Sequence, residues 1–107
     1  MISIDILCHT VAGLRPEEVE QWIGNAWLHA EGGPGDYRFR DIDAARVRLI
    51  HELRHDLGID DEALPVVLSL VDQLYAARRQ MQNLRRAVEQ AAPDEVRQAI
   101  LGVLVER

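Results

Sequence analysis

Apolar residues along the chain fall first into short helical groups broken by glycine and proline, and then into one strict stripe. The stripe reads Ala63, Val67, Leu70, Leu74, Ala77, Met81, Leu84, Val88 and Ala91, spaced alternately four and three residues apart. A surface helix of a globule spreads its apolar face wider than this. A seam confined to alternate four- and three-residue steps predicts a partner helix.

The groups before the stripe predict four elements. Ser3 is placed as an N-cap, Ile4, Leu7, Cys8 and Val11 follow at helical spacing, and Gly13 is the stop. Pro16 then restarts a helix in its first turn, where a missing N–H costs nothing. Glu17 and Glu18 suit the positive end of that helix, and Val19, Trp22, Ile23 and Ala26 form its buried face. Trp22 reads as core. Trp27 reads equally as core or as an interface anchor. Two short helices around a glycine-containing turn predict a helix-turn-helix. Trp27-Leu28-His29 and Tyr37-Arg38-Phe39 flank the turn-forming Gly32-Gly33-Pro34-Gly35-Asp36, which predicts a small two-stranded wing. Asp41 or Asp43 caps a third helix carrying Val47, Ile50, Leu53 and Leu57. Gly58 ends it, with Ile59 making the contact that follows a glycine stop.

Asp60 caps the next helix. Pro65 lies too deep for an unbroken run from Asp60 and predicts a kink or a fresh start. From Val66 to Ala91 nothing interrupts the helix, and its 26 residues span about 39 Å. Pro93-Asp94 breaks it, and Val96, Ile100, Val103 and Leu104 mark a short terminal amphipathic helix. The expected organisation is therefore mainly α. Residues 1–60 form a winged helix-turn-helix region, 61–92 a long dimerisation helix and 93–107 a short C-terminal helix. Covering a side chain such as Leu is worth about 1.5–3 kcal/mol, so a wet stripe would cost several kcal/mol, comparable with a small domain's whole stability. The terminal helix could fold back over it but is too short to cover all of it. Val67, Leu70, Leu74, Ala77, Met81, Leu84 and Val88 are thus the expected homodimer interface.

Charge sharpens this picture. The chain has 107 residues and a net charge of −6, and all 12 of its basic residues are Arg. Residues 1–45 hold eight acids against three Arg, a net of −5, whereas residues 46–107 are near balance at −1. An acidic front half disfavours nonspecific nucleic-acid binding and suits a basic partner. The single cysteine, Cys8, precludes an internal disulfide and a multi-thiolate metal site. It falls on an apolar face and reads as a buried thiol. Met1-Ile2-Ser3-Ile4-Asp5 lacks the basic start and apolar core of a signal peptide, and no apolar run approaches the roughly 20 residues that span a membrane. The expectation is a cytoplasmic protein without a membrane partner.

One motif invites an enzymatic reading. His51-Glu52-Leu53-Arg54-His55 spells H-E-x-x-H, which on a helix sets two imidazoles one turn apart beside a carboxylate able to activate a metal-bound water. No downstream His extends the pattern, and the later acid nearest a third-ligand distance, Asp72, lies on the stripe-bearing helix. A chain so organised also lacks a second lobe to wall a substrate cleft. The motif therefore reads as a charged helix face that can bind zinc only adventitiously. No enzyme activity, metal or cofactor is expected.

Tyr37-Arg38-Phe39-Arg40-Asp41-Ile42-Asp43 and Arg54-His55-Asp56-Leu57-Gly58-Ile59 resemble the segments of MerR-class proteins after the wing and before the coiled coil. Leu57-Gly58-Ile59 followed by Leu64-Pro65-Val66-Val67-Leu68-Ser69-Leu70-Val71-Asp72-Gln73-Leu74 narrows the likeness. So does Leu7-Cys8-His9-Thr10 followed by Pro16-Glu17-Glu18. Together they resemble the CbpM family of chaperone modulators, small MerR-like proteins without an effector domain. The resemblance covers roughly Ser3 to Val88. It implies a MerR-like winged helix-turn-helix, binding to the J domain of a CbpA-type Hsp40 co-chaperone, and inhibition of that protein's work with Hsp70. The residues themselves favour this over DNA reading. The second helix carries Glu17, Glu18 and Glu20 where a groove-reading helix needs cations, and carboxylates there would meet phosphate repulsion. Glu17, Glu18, Glu20 and Trp27 are the expected partner-binding residues. The alternative is a MerR-type DNA-binding transcriptional regulator, with Arg38, Arg40, Arg46 and Arg48 reaching phosphates.

Overall fold

The computed structural model describes Met1–Ala91 and Pro93–Val105. It is mainly helical, with five helices and one two-stranded sheet among the described residues. In chain order these are β1 (Ile2–Ser3), α1 (Ile4–Thr10), α2 (Pro16–Gly24), β2 (Arg38–Phe39), α3 (Asp41–His55), α4 (Leu64–Ala91) and α5 (Asp94–Val105). The chain divides into two compact units inside α4, between Leu68 and Ser69.

Local chemistry accounts for the helix ends of the first unit. Ser3 caps α1, its Oγ accepting from the Ile6 N–H at 3.3 Å. Pro16 opens α2 at its first position, and Glu17 and Glu18 follow in the first turn. The exit of α2 is less ordinary. Ala26 has φ +61°, a left-handed conformation that costs a non-glycine residue about 1–2 kcal/mol. It is held by two bonds, Ala26 N–H to Ile23 O at 3.0 Å and Trp27 N–H to Trp22 O at 3.0 Å, the pairing of a Schellman stop. Ala26 is therefore exposed and outside the helix, not part of its buried face as its spacing predicted. The turn it makes sends Trp27 and Leu28 into the core, where both are buried.

That inward turn also changes the wing. Trp27-Leu28-His29 is not a strand. The partner of β2 is β1, antiparallel, with Ile2 opposite Phe39 and Ser3 opposite Arg38. Across the glycine turn only Glu31 and Arg38 bridge, exchanging backbone bonds of 2.8 and 2.9 Å. The left-handed turn at Ala26 buries Trp27 and Leu28 together, not on alternate sides as a strand with one wet face would.

Neither Asp41 nor Asp43 caps α3. Arg40 stands at the cap without a side-chain bond to the helix backbone, and Asp43 is buried with its carboxylate accepting from the Arg40 Nε at 3.1 Å. Val47, Ile50 and Leu53 are buried as their spacing predicts, but Leu57 lies beyond the helix and is exposed. Gly58, at φ +66°, reverses the chain, and the Ile59 N–H reaches Leu53 O at 2.8 Å. Asp60 then caps the next turn through the Ala63 N–H at 2.8 Å. Pro65 is harmless because α4 starts afresh at Leu64. Phe39, Leu7, Ile50, Leu64, Val19 and Val47 are the largest fully buried side chains, and Trp22 joins them in the same core.

In the second unit α4 continues to Ala91 and α5 follows Pro93. Arg97 pairs with Asp94 and donates to Glu89 O at 3.1 Å, satisfying one of the carbonyls that a helix end leaves open. No helix among the described residues is long and apolar enough to cross a membrane.

Candidate interaction surface

Two surfaces follow from this framework: the outer face of α2 and the stripe of α4. On α2, Val19 and Trp22 point inward and leave Glu17, Glu20 and Gln21 exposed, the first two on one side one turn apart. Glu18 is different. Its carboxylate takes the Nε2 of His55 at 2.8 Å and the Nε of Arg15 at 3.5 Å, with 12% of the side chain exposed. The first bond ties the start of α2 to the end of α3, where Glu52 and Asp56 are also exposed. Sequence reasoning missed this tie, since nothing in a separation of 37 residues signals a contact.

The tie also explains the H-E-x-x-H motif. The rings of His51 and His55 lie 4.4 Å apart, tilted by 39°. A Cβ on Gly13 would sit 3.7 Å from the His51 ring. So His51 packs by the α1–α2 turn while His55 holds Glu18, and the two imidazoles serve contacts between elements. No group of three or more His, Cys, Asp or Glu side chains among the described residues is arranged to hold a metal ion.

Electrostatics follow the same geometry. Burial pushes the Glu18 carboxyl upward, but the hydrogen bond and charge of His55, and the bonds from Arg15, outweigh it and hold it below its ordinary 4.5. A carboxyl lowered by folding stabilises the fold fully above its unfolded value, and that contribution is lost as pH falls through the folded one. The urea midpoint is expected to drop on acidification below about pH 4.5, with a shallower drop in Glu18→Gln. Parallel slopes for the two proteins would remove Glu18 from the account. Burial, then Asp5, Glu17 and Glu18, pushes the half-buried Cys8 thiol up, which makes it a poor nucleophile.

The other expected site residues are placed as follows. Trp27 is buried, 9% exposed, and packs in the core cluster. Its carbonyl takes the Arg46 Nε at 2.6 Å. Arg38 pairs with Asp36 at 3.5 Å and Arg40 with Asp43 at 3.1 Å, while Arg48 is exposed. On α4, Leu70, Leu74, Met81 and Leu84 are 59%, 53%, 42% and 50% exposed, and Ala77 is exposed too. This middle of the stripe is open among the described residues. Its two ends differ: Val67 packs half-buried against the first unit's core, and Val88 is buried. No protein-family model, curated protein or solved structure matches the chain.

Proposed function

We propose that the chain is a non-enzymatic, cytoplasmic chaperone modulator of the CbpM type, a MerR-like winged helix-turn-helix protein that dimerises through α4. It binds the J domain of a CbpA-type Hsp40 co-chaperone and inhibits its action with Hsp70 by occluding the Hsp70-docking face. The observation that carries this reading is the exposed pair Glu17 and Glu20 on α2, in a first unit whose residues 1–68 hold thirteen acids against six Arg. Such a surface attracts a basic helix and speeds encounter, with an effect that salt weakens. DNA binding has less support, because the exposed carboxylates of Glu17 and Glu20 on α2 would meet phosphate repulsion.

The test is titration with a CbpA-type J domain by calorimetry. Glu17→Arg/Glu20→Arg is expected to weaken binding at least tenfold, about 1.4 kcal/mol or more. Absence of binding at low ionic strength, or equal affinity of the charge-reversed protein, overturns the reading.

A further inference from the structure

The uncovered middle of α4 carries a charge pattern that self-pairing does not use. From Gln73 to Val88 the helix holds four arginines (Arg78, Arg79, Arg85 and Arg86) and no acid, in a chain of net charge −6. Arg78 and Arg85 each follow a stripe residue, Ala77 and Leu84, and so border the seam on one side. Gln73 and Gln80 precede Leu74 and Met81 and border it on the other. In paired helices these borders are where charges choose partner and orientation. Two parallel copies would set the arginines against glutamines. Two antiparallel copies would set arginine border against arginine border. Neither arrangement brings a carboxylate to Arg78 or Arg85. Within the chain Arg85 reaches Glu89 at 3.5 Å with both side chains about half exposed, an ion pair worth at most about 1 kcal/mol and readily exchanged.

We propose that the exposed stripe of α4, bordered by Arg78 and Arg85, docks an amphipathic helix of a different protein whose apolar heptad covers Leu74, Met81 and Leu84 and whose carboxylates meet the two arginines. The arginines are seven residues apart, about 10.5 Å along the helix, and carboxylates one heptad apart on a second helix match that spacing. A nucleic-acid strand would satisfy the arginines but leave the adjacent leucines wet. An anionic membrane is less suited, since the stripe is narrow and holds no Trp or Phe. The inference goes beyond the homodimer of the proposed function, because the acidic helix takes the place of the second copy on the same seam.

The test uses the full chain and a four-heptad synthetic peptide with Leu at both seam positions and Glu at both borders, beside a twin with Lys at the borders. Binding is followed by fluorescence anisotropy, and mass by sedimentation with and without peptide. The Glu peptide is expected to bind at least tenfold more tightly than the Lys twin and to form a one-to-one complex. Arg78→Glu/Arg85→Glu is expected to reverse the preference. Equal binding of the two peptides, no binding of either, or binding only to anionic vesicles overturns the proposal. The mass of the free protein reports the homodimer separately: a monomer that still selects the Glu peptide supports this inference while the homodimer fails.

Discussion

Phe39→Ala is expected to lower the stability of the first unit by about 3–5 kcal/mol, a large part of the 5–15 kcal/mol that holds a typical domain. Phe39 is fully buried, lies opposite Ile2 in the sheet and is followed within two residues by the start of α3. Its ring belongs to the core shared by the sheet and the helices, and truncation leaves a cavity there. Urea unfolding followed by tryptophan fluorescence checks this, because Trp22 and Trp27 sit in the same core. A loss under about 1 kcal/mol would mean that the core closes over the gap.

The second large effect concerns α4. If α4 forms the proposed homodimer, Leu74→Asp/Leu84→Asp is expected to abolish self-association without shifting the unfolding of the first unit. Both leucines are about half exposed in the single chain, so the substitutions cost the isolated protein little. In a closed seam four carboxylates, two from each copy, would lose their water, at a cost of at least about 4 kcal/mol per copy, more than a hundredfold in association. Sedimentation velocity across a concentration series reads the outcome. Unchanged association would place the contact between copies elsewhere on the chain.

Much of the helical framework was legible because helix ends depend on neighbours in sequence. Ser3, Pro16, Gly58 and Asp60 each act within a few residues of their own positions, and the sequence places all four in their roles. The misses are the contacts made at a distance. Two-residue strands have no periodicity to read, so the pairing of Ile2-Ser3 with Arg38-Phe39 left no pattern. Asp43 looked like a cap because its residue type favours caps, yet burial beside Arg40 decides its place. Ala26 fits the helical face by spacing and breaks it by conformation, a choice imposed by the burial of Trp27. At the candidate surface, the exposure of Glu17 and Glu20 follows from helical periodicity. The engagement of Glu18 by His55 needs the fold itself. The stripe was fully visible as a pattern, but only the structure separates its covered ends, Val67 and Val88, from its open middle.

The short sheet also bears on the order of folding. Its strands come from either side of α1 and α2, so pairing them closes a long loop for very few backbone bonds. Loop closure costs entropy before such contacts return anything, and a ladder this short cannot offset it alone. The helices must dock first and bring Phe39 to its pocket, after which Ile2 and Ser3 find their partners. The strand that precedes α1 is therefore the last piece of the first unit to form and the first to fray.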